Sequence, residues 1–317
     1  MGKHAPRRGS LAFMPRKRAA SLTPRIRCWP RGGAGLLCFG GYKAGMAHAV
    51  VVDDSESPTK GQEITKPVTF IEVPPFFVYS IVAYASTPAG LRTVAEAVAQ
   101  GAPKQLSRSA TPAKKGGDLK KIEDALAGVS EVRVKACTVP EKTAAGKKKP
   151  EVFEISLGGA TPTEQFNYAK NVWGKEVKAA DVIGEGEYVD VIAVTTGKGW
   201  QGVVKRHGVA LGPRKSTGAR RHGGSIGGER QAKVMYTIPR PGQMGFHRRT
   251  DRNKRVLKIV GAAEAARPGG FPGYGVPRGE CIVMEGSVPG PAKRFLKLRK
   301  TLSGKAARKA VAKQIVW

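Results

Sequence analysis

Short runs of apolar, β-branched and aromatic residues, separated by glycine and proline, recur along most of the chain. These runs predict strands at residues 36–39, 47–52, 68–73, 76–85, 131–139, 188–196, 234–238, 256–260, 281–284 and 295–298. Two segments instead have helical patterns, residues 118–127 and a segment that begins at a capping box, Thr161-Pro162-Thr163-Glu164, and runs toward Trp173. Strands on both sides of a helical middle predict a mainly β protein, a β-barrel interrupted by an α/β insertion.

The same pattern divides the chain into five parts. We predict a basic N-terminal arm over residues 1–35, the first part of the barrel over 36–89, and the α/β insertion over 90–185. The second part of the barrel spans 186–292 and contains a basic extension at about 198–250. A basic C-terminal segment follows over 293–317, in which Ser303 predicts the start of a helix that places Lys305, Lys309 and Lys313 on one face.

Charge is distributed very unevenly among these parts. The chain has 55 Lys and Arg against 24 Asp and Glu. Residues 1–31, 198–258 and 293–313 together hold 34 of the basic residues and 2 of the acidic ones, so the other 204 residues are nearly neutral. Because such cationic segments repel themselves, they need a polyanionic partner, and this density of charge indicates nucleic acid.

Several other functions lack the residues that they require. Gly197-Lys198-Gly199-Trp200-Gln201-Gly202 matches a dinucleotide-binding motif, but a basic stretch follows where that fold needs an apolar helix and an acidic residue. The histidines of the basic segment have no spaced carboxylate to orient them, so no catalytic group is predicted. The four cysteines are far apart and indicate reduced thiols rather than a zinc site. No apolar run approaches the length of a membrane span.

The extension has the composition of a segment that enters RNA. Residues 214–224 combine arginine, hydroxyl side chains and glycine, and residues 214–230 have too few apolar residues to build a core. Trp200 is left with two interpretations, stacking on a base or packing at the root of the extension. The RNA-binding residues predicted in the extension and the N-terminal arm are Lys198, Trp200, Lys205, Arg206, His207, Arg214, Lys215, Arg220, Arg221, Arg230, Lys233, Arg240, His247, Arg248, Arg249, Arg7, Arg8, Arg16, Lys17 and Arg18.

Several blocks of sequence resemble a known family. They are VIAVTTGKGWQGVVKRHGVALGPRKSTGARR and VMYTIPRPGQMGFHRRTDRNKRVLKI in the centre, HAPRRGSLAFMPRKRA and GYKAGMAH before it, and GGFPGYGV and GSVPGPAKRFLKLRK after it. In this order, across nearly the whole chain, the blocks resemble large-subunit ribosomal protein L-three. The first arm and the insertion are similar to the archaeal and eukaryotic branch of that family.

The resemblance implies a structural role in the cytoplasmic ribosome, without enzymatic activity. It implies binding to large-subunit ribosomal RNA near its 3′ end, nucleation of assembly, and an extension that reaches toward the peptidyl transferase centre. The implied neighbours are ribosomal proteins L-fourteen and L-twenty-four-e, and we expect neither a membrane nor a second copy of the chain as a partner. No cofactor is expected beyond the Mg²⁺ ions that accompany ribosomal RNA.

One departure from the family pattern concerns the tip of the extension. The archaeal and eukaryotic pattern has a tryptophan there, whereas this chain has Glu229 or its neighbour, so the resemblance assigns no stacking residue at the tip. Arg230 is the remaining RNA-binding candidate. Two rival functions are an RNA-modifying enzyme and a DNA-compacting architectural protein. The first would need a cofactor or acid–base cluster, and the second would need repeated modules with wedging apolar residues; the sequence shows neither pattern.

Overall fold

A computed structural model describes residues 7–111, 116–216, 220–308 and 312–316 of the chain. These residues form two compact units. One unit, called here the cationic unit, comprises the described residues of Met1–Ala20 and Val194–Arg248. The other, called the sheet unit, comprises those of Ser21–Ala193 and Arg249–Trp317.

Strands dominate the described secondary structure. They are β1 (Gly35–Leu36), β2 (Cys38–Val52), β3 (Glu63–Glu72), β4 (Phe76–Thr87), β5 (Gly90–Val98), β6 (Glu131–Thr138), β7 (Val152–Gly158), β8 (Glu176–Val177), β9 (Tyr188–Val194), β10 (Trp200–Gln201), β11 (Gly242–Gln243), β12 (Arg248–Val260), β13 (Cys281–Glu285), β14 (Phe295–Lys300) and β15 (Ala312–Val316). The α-helices are α1 (Lys120–Ala125), α2 (Pro162–Val172) and α3 (Val203–His207). Short 3₁₀ turns occupy Leu11–Phe13, Lys104–Arg108, Leu126–Gly128, Pro140–Lys142 and Ala179–Asp181.

One sheet of the sheet unit closes on itself. Its strand order is β14, β9, β12, β13, β3 and β2, and β14 also pairs with β2, which completes a ring of six strands. The long strand β2 makes this closure, because its first residues pair with β14 while Val52 and the residues before it pair with β3. The last strand, β15, adds to β2 outside the ring. Closure leaves the ring without free edges.

A second, antiparallel sheet packs against the barrel. Its order is β1, β7, β6, β4 and β5, with β8 also paired to β4. The two sheets share one hydrophobic core, in which Phe39 of the barrel lies 4.7 Å from Phe76, and Phe295 lies 5.4 Å from Phe153, between ring centroids. Strand β4, which lies in the segment predicted as the first part of the barrel, thus joins strands of the α/β insertion in the second sheet. This sheet is part of the same folded body and depends on the barrel for burial of its aromatic residues.

The main features predicted from the sequence are confirmed. The fold is mainly β, and strands occupy nine of the ten predicted segments at least in part. Helix α2 begins as expected, since the Thr161 side chain accepts a hydrogen bond from the backbone amide of Glu164 at 3.3 Å. The Glu164 carboxylate accepts from the amide of Ala160 at 3.0 Å, so the helix start is capped from both sides.

Two predicted elements are wrong. Residues 234–238 form no strand; they lie in the cationic unit, and no described strand of that unit pairs with them. The C-terminal helix is also wrong: residues 301–308 are irregular and Ala312–Val316 is a strand paired with β2. Lys313 forms an ion pair with Glu63 of β3. Backbone pairing with β2 and this ion pair replace the cationic helix face; Lys309 lies outside the described residues.

The structure also divides the chain differently from the five predicted parts. The predicted boundary between 89 and 90 lies in the turn of the β4–β5 hairpin. The segment predicted as a basic C-terminal arm begins with β14, which is a barrel strand whose Lys297 and Arg299 are only 3% and 4% exposed. Its cations are therefore partly components of the core rather than of an arm.

Candidate nucleic-acid interface

A short antiparallel pairing organises the cationic unit. Trp200 of β10 lies opposite Gln243 of β11, which brings the outgoing and returning limbs of the extension together. Helix α3 follows β10, ends at His207 and is capped by Gly208, whose φ of 68° is a left-handed conformation that suits glycine. Gly245, with φ of 70°, packs so closely that a β-carbon would lie 2.1 Å from the Thr196 carbonyl oxygen. Glycine is therefore required where the two limbs meet.

The N-terminal arm belongs to the same unit as the extension. The backbone amide of Ala19 donates to the carbonyl of Phe246 at 2.8 Å, and the carbonyl of Lys17 lies 2.9 Å from Nδ1 of His247. Arg7 donates to the carbonyl of Thr237. The sequence predicted two separate basic segments, whereas the structure joins them through hydrogen bonds between residues about 230 positions apart.

Arg206 is the centre of this junction. Its guanidinium donates to the carbonyls of Gln243 at 3.0 Å, Arg240 at 2.7 Å and Arg16 at 3.2 Å. Arg16 in turn donates to the carbonyl of Arg206. Burial, with a smaller effect from Arg16, lowers the pKa of Arg206. Arg206, predicted as an RNA-binding residue, thus uses its donors to hold three parts of the protein together.

Two predicted RNA-binding histidines are also buried in the cationic unit. His207 lies against Gly9, where a β-carbon would come within 2.7 Å of the imidazole Nδ1. Burial, followed by the charges of Arg16 and Arg206, lowers the pKa of His207 and favours the neutral ring. His247 is held by Lys17 as described. These side chains contact protein, and their place in the sequence gave no sign of it because their partners are distant in the chain.

Most of the other predicted residues have exposed side chains. They are Arg7, Arg8, Lys17, Arg18, Lys198, Lys205, Arg214, Lys215, Arg220, Arg221, Arg230, Lys233, Arg240 and Arg248, while Arg16 and Arg249 are half-buried. Residues 1–20 and 194–248 together contain 17 Lys and Arg but a single carboxylate side chain, Glu229. Neutralisation within the unit is therefore impossible, and its cations require an external anion.

The far part of the extension has the least protein contact. Every residue from 220 to 236 is exposed, and Arg220 is held by two bonds to Gly212, one from its Nε to the Gly212 carbonyl at 3.2 Å and one from the Gly212 amide at 3.0 Å. Residues 217–219, within the predicted RNA-entering stretch, lie outside the described residues. A segment with so little burial has backbone and side-chain donors available to a partner.

Two aromatic side chains stand out on this surface. Trp200 is 76% exposed, which favours the stacking interpretation over packing at the root of the extension. Tyr236 is 75% exposed and was not predicted as a site residue, because it falls in the segment expected to form a strand. Exposed rings among cations suit base stacking, which tolerates any sequence. Tyr236 also provides an aromatic residue in an extension whose tip lacks the family tryptophan.

Two arginines of the sheet unit form ion pairs inside the protein instead of facing outward. Arg255 donates to both carboxylate oxygens of Asp54 at 2.8 and 2.6 Å, and Arg299 donates to Asp190 at 2.6 Å. Both arginines are buried. Residues in the basic segments of the sequence thus divide into those that stabilise the barrel and those of the cationic unit that face outward.

Metal binding, thiol chemistry and insertion into a membrane have little basis in the described part of the chain. No group of three or more His, Cys, Asp or Glu side chains there is arranged to hold a metal ion. The four cysteines are unpaired, and burial raises the pKa of Cys38 to about 12 and of Cys137 to about 11, so these thiols are not activated. No described helix is both long and apolar enough to span a bilayer.

These features define a class of protein. A barrel carries a unit whose cations face outward, whose aromatic rings are exposed and which has almost no carboxylate, and such a protein binds polyanions. The chain belongs to the family described as Ribosomal protein L3, whose model matches residues 1–315. It is 46% identical over 310 residues to the large ribosomal subunit protein uL3 of Methanothermobacter thermautotrophicus, covering 94% of this chain and 92% of that protein. It is 49% identical over 305 residues to the protein of the same name from Methanopyrus kandleri, covering 93% and 84%.

Proposed function

We propose that this protein is a structural constituent of the large ribosomal subunit and binds large-subunit ribosomal RNA in the cytoplasmic ribosome. The observation that carries the proposal is the cationic unit, with 17 basic residues, one acidic residue and mostly exposed side chains. Membership of the family, together with the two relatives named above, which are large ribosomal subunit proteins 46% and 49% identical to this chain, supports it.

The mechanism is neutralisation of phosphates together with insertion of chain between RNA helices. Arginine and lysine side chains release counterions from RNA, while exposed glycine-rich backbone fits narrow grooves. Trp200 and Tyr236 stack on unpaired bases. The role is structural rather than catalytic, and the Mg²⁺ ions needed are those of the RNA itself.

The finer assignments rest on the family resemblance. They are binding near the 3′ end of the RNA, nucleation of assembly, an extension directed toward the peptidyl transferase centre, and contacts with ribosomal proteins L-fourteen and L-twenty-four-e. We also propose that the protein does not associate with a second copy of itself, because two units with so large a surplus of the same charge repel each other.

Sedimentation tests the proposal directly. Cell extract is fractionated, and the native protein is detected by antibody across free protein, large subunits and chromatin. We expect it with the large subunit, released by high salt. Recovery with chromatin would support DNA compaction instead, and recovery as free protein with activity on RNA would support an RNA-modifying enzyme. Binding to separate 3′ and 5′ fragments of the RNA then tests the finer assignment, since only the 3′ fragment should compete at equal salt.

A further inference from the structure

The sheet unit contains a cavity of about 930 Å³ that the cationic unit does not line. Its walls come from residues 21–29, from the turn between β4 and β5, and from β6 and β7, with Lys297 of β14 also lining it. This volume lies within the range of pockets that enclose small molecules, so a single nucleotide fits.

The charges around the cavity favour an anion. Five cationic residues line it, and the lining includes one carboxylate, Glu154; the cations are Arg25, Arg27, Arg133, Lys135 and Lys297. Arg133 pairs with Glu131 at 2.9 Å and Lys135 pairs with Glu96 at 2.7 Å, which neutralises these two cations inside the protein. Among the described residues, Lys297 and Arg27 form no ion pair.

Lys297 is the most unusual member of this lining. Its side chain is only 3% exposed, yet among the described residues its ammonium forms no hydrogen bond or ion pair. The ammonium lies 5.0 Å from the centroid of the Phe153 ring, and burial lowers the pKa of Lys297 to about 8. The ammonium is not among the fully buried side-chain atoms that lack a partner, so it keeps access to the cavity, where an oxygen of an anionic ligand would give it a hydrogen-bond acceptor.

Aromatic rings complete the lining. Trp29, Tyr79, Tyr84 and Phe153 all line the cavity, and the indole Nε1 of Trp29 is buried without an acceptor. The rings provide flat apolar surfaces, and Tyr84 already packs against the Arg133 guanidinium at 5.1 Å. A ligand that matches both features has a planar ring system and an attached anion, which is the chemistry of a nucleotide.

We infer that this cavity receives one unpaired nucleotide of the bound RNA, its phosphate near Lys297 and its base against the aromatic lining. The inference rests on the proposed function and adds a second RNA contact, separate from the cationic unit. An acidic peptide from a neighbouring protein would satisfy Lys297, but its carboxylates and any aromatic rings belong to separate side chains, whereas a nucleotide joins a planar base and a phosphate in one residue.

Photocrosslinking of reconstituted large subunits tests this inference. Four RNA preparations are made, each with a photoreactive analogue of one of the four nucleotides, and crosslinked peptides are identified by mass spectrometry. We expect adducts in peptides that contain residues 25–29, 79–84 or 152–154 with at least one preparation. Lys297→Met should reduce these adducts at least five-fold, while adducts at Trp200 and Tyr236 persist. The control is Lys258→Met, which removes one surface cation paired with Glu264 elsewhere on the barrel. It should change neither the adducts in the cavity nor those at Trp200 and Tyr236.

The outcomes separate this inference from the proposed function. Adducts in the cationic unit without any in the cavity would overturn the inference and remain consistent with the proposed function. Adducts in neither unit would contradict both the inference and the proposed function. A cavity crosslinked to another ribosomal protein would also overturn it. Should Lys297→Met fail to fold, Arg27→Gln replaces it, because Arg27 is exposed and its loss should still lower the cavity adducts at least two-fold. Unchanged adducts in that variant would count against the inference.

Discussion

Replacement of Arg206 by methionine should release the N-terminal arm from the extension. Methionine keeps much of the length of the side chain but removes every donor. The guanidinium now serves three carbonyls, those of Gln243, Arg240 and Arg16, which belong to the returning limb and to the arm. Without it, these carbonyls lose their charged donor at a half-buried position, while the arm keeps its other bonds to the extension, among them those from Ala19 to Phe246 and from Arg7 to Thr237.

The size of the effect follows from the one bond that opening of the arm breaks, the bond from Arg206 to the carbonyl of Arg16. A hydrogen bond to a charged group stabilises by about 1.5–3 kcal/mol. Water can reach part of this site, so we expect about 1.5–2 kcal/mol in the local opening free energy of the arm. The closed ring of the barrel does not use Arg206, so global unfolding should change far less.

Limited trypsin digestion measures this opening. Cleavage at Arg16, Lys17 and Arg18 should become at least ten-fold faster in Arg206→Met, with little change in the midpoint of thermal unfolding. Arg206→Lys should recover little of the protection, because an ammonium cannot reach three carbonyls in the geometry of a guanidinium. The matched control is Arg214→Met, an exposed arginine of the same unit. Equal cleavage rates in Arg206→Met and the control would refute the assigned role.

Three further predictions concern the sheet unit. Asp190→Ala leaves Arg299 buried without its carboxylate and should lower the free energy of unfolding by about 3–5 kcal/mol in denaturant titrations, whereas Glu264→Ala, at an exposed pair, should cost at most about 1 kcal/mol. Thr161→Ala removes the cap of α2 and should cost about 1 kcal/mol in the same assay; no loss would contradict the observed cap. Lys297 has its pKa lowered from 10.5 to about 8 by burial, so the unfolded chain binds more protons above pH 8 and the stability that Lys297 contributes rises with pH. The free energy of unfolding of the native protein relative to Lys297→Met should therefore increase by about 2 kcal/mol between pH 7.5 and 9.5, and a decrease would show that the ammonium is stabilised rather than strained by its surroundings.

The sequence predicted elements whose signals are local. The Thr161 cap, the apolar runs of β3, β4 and β13, and the closed barrel could be predicted because side-chain alternation and turn residues lie next to each other in the chain. Strand β5 was missed, since its residues are largely exposed and it exists through pairing with β4. The C-terminal residues form a strand for the same reason: β2 offers a partner that no local pattern reveals.

Predictions for the candidate interface show the same difference between local signals and contacts with distant residues. The cationic composition of the extension identified the correct class of ligand, because charge is a sum that needs no geometry. It could not separate outward-facing cations from Arg206, His207 and His247, whose partners lie in the N-terminal arm or on the opposite limb. Nor could it show that Arg299, in a basic segment, pairs with Asp190 inside the barrel. Residues that are distant in the chain decide these roles.

The most direct test of the central claim is the salt dependence of RNA binding by the full-length protein. If about ten of the exposed cations of the cationic unit contact phosphates, the slope of log affinity against log salt should lie around −7 to −9. Replacement of Arg214, Lys215, Arg220 and Arg221 by glutamine should make that slope shallower by about 3, with unfolding unchanged. A native slope shallower than about −3, or a variant with the native slope, would contradict the account.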